Sequence, residues 1–136
     1  MSGSTADGGA DLARLAAERD RLDVGVAGLE AALAGIDAAR DALGATDDEH
    51  DPEGATIAVE RAQVAGLLVA AIDARHAVEQ AVLRVEAGTY RWCRSCGEAI
   101  GDERLAARPM TDRCIACARR AETGPGLDAE PARRSP

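Results

Sequence analysis

Phenylalanine is absent from this sequence, and Tyr90 and Trp92 are its only aromatic residues. Aromatic side chains dominate the burial of ordinary cores, so a large conventional core is excluded. Lysine is absent as well. All 16 basic residues are arginine, a bias better ascribed to coding composition than to chemistry. Basic charge is scarce overall, with 24 acidic residues against those 16 and a net charge of −8. Binding to a phosphate backbone needs a basic footprint, so direct sequence-specific DNA recognition is not expected. The longest apolar run, residues 64–72, is too short for a bilayer. The N-terminus lacks a basic region followed by an apolar one. A cytoplasmic location, no membrane partner and reduced cysteines follow as expectations. No Ser/His/Asp set, phosphate-binding glycine loop or HExxH segment occurs, and His50 and His76 are the only histidines. An enzyme is therefore not expected.

What the chain does have is alanine, leucine, arginine and acid, the composition of long helices. Residues 1–10 are rich in Gly, Ser and Ala and read as a disordered N-terminus. Beyond them Leu15, Leu22, Leu29, Ile36 and Leu43 recur every seven residues, with Leu12, Arg19, Val26, Leu33 and Arg40 at the companion positions. This is a 3.5-residue seam. Gly25, Gly28 and Gly35 weaken such a helix by about 1 kcal/mol each relative to Ala, and as small residues they invite a close helix–helix approach. Gly44 is a natural stop. Asp51-Pro52 reads as an N-cap followed by proline at the first helical position. A second helix is expected over residues 52–87, with Ile57, Val64, Ala71, Val78 and Val85 seven apart, Leu68 and Val82 beside them, and Gly88 as its stop. Two long helices joined by a short turn pack antiparallel. The expected fold is all-α dominated: a coiled-coil hairpin over residues 11–88, each arm roughly 50 Å long.

The hairpin's tip, residues 45–53, is acidic: Asp47, Asp48, Glu49, Asp51 and Glu53. A solvated loop explains such a turn in most proteins, yet the density is high. Charge divides unevenly along the chain. Residues 1–90 hold 17 acidic and 7 basic residues, whereas residues 91–136 hold 7 acidic and 9 basic. The two parts are expected to do different jobs. Residues 123–136 are rich in Gly, Pro and Arg and read as a disordered tail.

All four cysteines fall between, as Cys93-Arg94-Ser95-Cys96 and Cys114-Ile115-Ala116-Cys117, separated by the 17 residues 97–113. Paired C-x2-C segments at this separation are a strong zinc signature. Each turn presents two thiolates, and two turns complete a tetrahedron with no open position, so one structural zinc is expected. The metal replaces the core that a short segment (89–122, ending in a short helix) cannot build. Gly97 suits a knuckle that needs positive φ. The filled site carries about −2, which Arg91, Arg94 and Arg113 stand near enough in sequence to offset. Rival readings are two disulfides, a redox CxxC and a rubredoxin-like iron site. A reducing compartment disfavours the first, the second lacks a βαβ context, and rubredoxin-like domains are rich in aromatics.

The string Leu83-Arg84-Val85-Glu86-Ala87-Gly88-Thr89-Tyr90, then Cys93-x-x-Cys96-Gly97-Glu98-Ala99-Ile100, then Glu103-Arg104-Leu105-Ala106-Ala107-Arg108-Pro109, then Cys114-x-x-Cys117 resembles the DksA/TraR C4-type zinc-finger family. The resemblance covers residues 83–120. It implies a transcription factor that binds RNA polymerase, with its coiled coil in the secondary channel and its acidic tip near the catalytic Mg²⁺ region. The family's tip pattern is D-x-x-D-x-A. Asp48 and Asp51 supply both acids in one register, with Glu53 in the alanine place. In the shifted register Ala55 takes the alanine place, Glu53 the second acid and His50 the first. Asp48, Asp51 and Glu53 are the tip residues chosen. The family also includes members that act with the alarmone ppGpp through basic residues near the zinc module. Arg108 matches one such position, while the residue after the last cysteine is Ala118, with Arg119 one step later. Two other classes stand beside this reading. One is a nucleic-acid-binding zinc ribbon using the arginines of residues 91–136. The other is a helical adaptor protein dimerising through its heptads, which Arg19 and Arg40 on the seam disfavour relative to a monomer.

Overall fold

A computed structural model of the chain describes residues 5–44 and 52–124. Four helices account for the regular structure of these residues: α1 Thr5–Ala42, α2 Pro52–Ala87, α3 Asp102–Ala107 and α4 Ile115–Glu122. The first two pack against each other over their length. Ion pairs fix the antiparallel register: Arg75 meets Asp23 at 3.4 Å, and further toward the tip Arg61 meets Asp37 at 2.7 Å. At 1.5 Å rise per residue, the 38 residues of α1 span about 57 Å.

α2 occupies the expected residues, and its C-terminus shows why. Gly88 adopts φ 76°. Its N–H donates to the Val85 carbonyl at 3.1 Å, and the Thr89 N–H donates to the Arg84 carbonyl at 2.9 Å. This paired closure needs a left-handed residue, which glycine supplies without a steric cost.

α1 departs from expectation at both ends and along its seam. It begins at Thr5, so residues 5–10 are helical where a disordered segment 1–10 was expected; residues 1–4 lie outside the described residues. Asp7 in the first turn complements the helix dipole. Packing stabilises the start further: a Cβ placed on Gly8 would lie 3.9 Å from Val85 Cγ1. Tertiary contact here overrides the poor propensity of Gly8 and Gly9. Of the ten seam positions, Leu15 and Val26 are buried and Leu22, Leu29, Leu33 and Ile36 half-buried, but Leu12, Arg19, Arg40 and Leu43 are exposed. Near the module the inward companions are instead Asp11 and Glu18. Gly25, Gly28 and Gly35 face solvent, and a Cβ on any of them would meet nothing within 4 Å. The close approach expected of them does not occur.

By length and composition alone α2 is apolar enough to cross a membrane, with a mean hydropathy of 1.5 over its most apolar stretch. The run 64–72 understated this, because few charges interrupt the residues on either side of it. No residue of that stretch is fully buried, but the inward face of α2 (Ile57, Val64, Leu68, Ala71) is half-buried along the hairpin.

The buried core lies at one end of the molecule. Leu15 from α1 and Val78 and Ala81 from α2 pack with Tyr90, Cys93, Ile100, Leu105 and Cys117. Hairpin and C-terminal module therefore share one core. The tip residues Asp48 and Asp51, the His50 of the alternative register, and most of the tail expected at 123–136 lie outside the described residues. Glu53 is described, exposed in the first turn of α2.

Candidate metal centre

The first cysteine pair is built by a short backbone turn. The Cys93 N–H donates to the Glu98 carbonyl at 2.7 Å, the Gly97 N–H donates to the Cys93 carbonyl at 2.9 Å, and Trp92 bridges Ala99. Gly97 turns the chain at φ 77°, as its position predicts. The second pair opens α4: Cys114 is its N-cap residue and Cys117 lies in its first turn. The Arg94 N–H donates to the Asp112 carbonyl at 2.8 Å, which holds the strand-like approach to Cys114 against the first turn.

The four sulfurs consequently converge. All lie within 4.8 Å of one another, and the Cys96 and Cys114 Sγ atoms are 3.8 Å apart. A tetrahedral zinc with Zn–S bonds of about 2.3 Å holds its sulfurs about 3.8 Å apart. Two disulfides would need far shorter contacts, and all four cysteines are free. Cys93, Cys96, Cys114 and Cys117 thus fit one structural zinc, and the metal's chemistry there is to tie the two turns together.

The protonation of the cluster is uneven. Backbone hydrogen bonding from Cys114 pulls the Cys93 thiol down to about 6, against the opposing effect of burial. Cys114 is also lowered, by a backbone hydrogen bond from Cys117. Hydrogen bonding with Cys114, then burial, pushes Cys117 up to about 12. Cys96 is raised too: a backbone hydrogen bond from Glu98 lowers it, but hydrogen bonding with Cys93 and burial outweigh that. Four like groups this close cannot all ionise without a cation.

The arginines are placed differently from the sequence reading. Arg120 reaches the cluster, with Nη2 3.4 Å from Cys117 Sγ. Arg91, Arg94 and Arg113 do not. Arg91 turns back to α1, where Nη2 donates to both carboxylate oxygens of Asp11 at 3.1 and 3.0 Å while Nη1 donates to Asp102. Asp11 is only 2 % exposed. Arg94 and Arg113 both approach Asp112, at 3.7 and 3.9 Å. The spacing from Cys117 to Arg120 on one helix was the signal available for Arg120.

Helix α3, between the cysteine pairs, was not anticipated. It carries Leu105 into the core, and the Arg104 Nε donates to the Arg113 carbonyl at 2.8 Å. Tyr90 is buried and its hydroxyl donates to the Pro109 carbonyl at 2.6 Å. Burial, with the Asp11 charge behind it, pushes its pKa up and keeps that proton in place. Trp92, the other aromatic residue, is by contrast 44 % exposed. Arg108 is exposed and lines a cleft with Arg14 and Arg21 of α1; Arg119 is exposed in the last turn of α4.

Residues 88–122 match the family model of the prokaryotic dksA/traR C4-type zinc finger. A protein of Aquifex aeolicus (strain VF5) is 41% identical over 49 residues, 36% of this chain and 34% of its own length. The RNA polymerase-binding transcription factor DksA of Escherichia coli (strain K12) is 44% identical over 45 residues, 33% of this chain and 30% of its own length. The match thus spans about a third of the curated relatives. Among solved structures, transcription factor DksA2 from Pseudomonas aeruginosa superposes with a TM-score of 0.72 at 23% identity, covering 88% of this chain and 86% of that one. That likeness carries the fold, and the family match carries the module. Residues 88–122 are thus similar to the dksA/traR C4-type zinc finger, and hairpin and module together have the fold of that solved structure.

Proposed function

We propose that this chain is a cytoplasmic, monomeric transcription regulator that binds RNA polymerase through its secondary channel. The observation that carries the reading is a single chain combining a 44%-identical zinc module with a DksA2-like fold over 88% of its length. Electrostatics supports it. Residues 1–90 carry 17 acidic against 7 basic residues, which repels nucleic acid and suits a positively lined protein path. The hairpin is the inserted part, and Asp48, Asp51 and Glu53 at its tip act on the polymerase active-site region through their negative field. The zinc centre is structural: four thiolates fill every coordination position, leaving none for a substrate. Arg108 and Arg119 are the candidate contacts to polymerase or to ppGpp.

The nucleic-acid-ribbon alternative loses ground to the arginine geometry. Arg91, Arg104 and Arg120 engage their guanidinium groups within the protein, on Asp11 of α1 and Asp102, on the Arg113 carbonyl and on Cys117.

The test is co-purification with RNA polymerase, followed by transcription in vitro with and without ppGpp. The double change Asp48→Asn with Asp51→Asn is expected to leave polymerase binding nearly intact and to abolish the transcriptional effect. Survival of both activities in that variant would sink the role assigned to the tip.

A further inference from the structure

The four sulfurs of the metal centre are not held alike. Backbone N–H groups donate to three of them: those of Cys114, Cys96 and Ser95 to Cys93, that of Glu98 to Cys96, and that of Cys117 to Cys114. What acts on Cys117 is instead the other three sulfurs and burial. Its donor from outside the cluster is a side chain, the Arg120 guanidinium, whose Nη2 lies 3.4 Å from Sγ. Exposure divides the set as well: Cys93 and Cys117 are buried, Cys114 is half-buried and Cys96 is exposed.

No rival claims the Arg120 guanidinium. Among the described residues no carboxylate pairs with it, whereas Arg91, Arg94 and Arg113 are drawn to Asp11, Asp102 and Asp112. Cys117 lies in the first turn of α4, and a spacing of three residues sets Arg120 on the same face one turn later. A filled four-thiolate site carries about −2, and a cation held against one sulfur offsets part of it. An N–H···S bond also withdraws charge from the thiolate and fixes its direction, as the groups that surround metal ligands commonly do.

We infer that Arg120 is a positioning residue of the zinc centre: its guanidinium holds the Cys117 thiolate on the metal, so that metal exchange starts at the opposite edge, Cys96 and Cys114. The inference rests on the zinc assignment and is independent of the polymerase reading. Burial and the guanidinium together close the Cys93–Cys117 edge of the tetrahedron. At the other edge a competing chelator or an electrophile meets Cys96 in water.

The experiment uses the full chain loaded with zinc, and the same chain loaded with cobalt(II). Arg120→Gln keeps a good helix former at this position and removes the charge. It is expected to weaken zinc binding about tenfold in competition with a chromophoric chelator, and Arg120→Lys to recover most of the loss. In the cobalt-loaded chain the sulfur-to-metal charge-transfer band is expected to move to longer wavelength in Arg120→Gln, because a thiolate without its donor gives up an electron more readily. A role in folding alone leaves that band in place. Limited treatment of the zinc-loaded parent chain with N-ethylmaleimide, followed by peptide mapping, is expected to label Cys96 first and Cys117 late. Unchanged zinc affinity in Arg120→Gln, an unmoved band, or early labelling of Cys117 in the parent chain overturns the inference. A parent chain that takes up no zinc overturns the metal assignment, and the inference with it.

Discussion

Cys96 and Cys117 are thiols that hold on to their protons, and this sets how the metal arrives. Both are raised above the ordinary thiol value, Cys117 to about 12, whereas Cys93 is lowered to about 6. The signs oppose. The stabilisation from a protonated Cys117 is present below the unfolded thiol value and is lost as pH rises toward 12. The stabilisation from a Cys93 thiolate is present above the unfolded value and is lost as pH falls through about 6. At pH 7.5 the metal-free chain therefore carries protons that zinc must displace. Zinc uptake at that pH is expected to release about two protons or more per metal. Calorimetry in buffers of different ionisation enthalpy measures the number, and release of fewer than one proton would contradict the uneven cluster. At this scale the ligands were legible in the sequence, because the C-x2-C spacing is a local rule that needs no knowledge of the fold. Arg120 was less so. Its place over Cys117 requires residues 117–120 to be helical, and the eight residues of α4 are too few to announce a helix by their period.

Among the elements, α1 carries a stability reserve. Gly28 is exposed in mid-helix with open space around it. Its replacement by alanine removes the entropic penalty of glycine and meets no steric obstacle, so Gly28→Ala is expected to stabilise the chain by about 1 kcal/mol. Chemical denaturation followed by circular dichroism checks it, and a loss of stability would mean that something packs on that face. The heptads of both helices were readable because apolar periodicity reports which face is inward. The seam near the module was not readable. The pattern pointed to Leu12 and Arg19, yet the chain buries Asp11 and half-buries Glu18. Hydrophobic periodicity cannot anticipate a buried carboxylate whose partner lies 80 residues away. Helix α3 escaped for a related reason: its six residues are too few to show a period.

For the molecule as a whole, the join between hairpin and zinc module is the decisive feature. One core spans both, and the Asp11–Arg91–Asp102 contacts, the Tyr90 hydroxyl on the Pro109 carbonyl and the Arg84 guanidinium on Met110 and Thr111 stitch its edge. The two parts are therefore set at a defined angle rather than swinging on a linker. Asp11→Asn keeps the shape of the side chain and removes the charge that Arg91 faces. It is expected to cost about 2 kcal/mol, the range of a hydrogen-bonded charge pair with a shielded partner. Denaturant unfolding of the zinc-loaded protein measures this. An unchanged midpoint would show that Asp102 alone satisfies Arg91.

Local rules were enough for the cysteine knuckles with their turn at Gly97, the glycine stops at Gly44 and Gly88 and the inward face of α2, since each depends on neighbours within a few residues along the chain. Charge division along the chain likewise needed only counting. Tertiary packing alone decided that Asp11 is an interior residue, that Tyr90 rather than Trp92 locks the module, and that α1 starts at Thr5. The physical reason is common to all three. Each outcome depends on which groups are brought within hydrogen-bonding or van der Waals reach by a fold that closes the two ends of the described chain onto each other, and no spacing along one segment encodes that meeting.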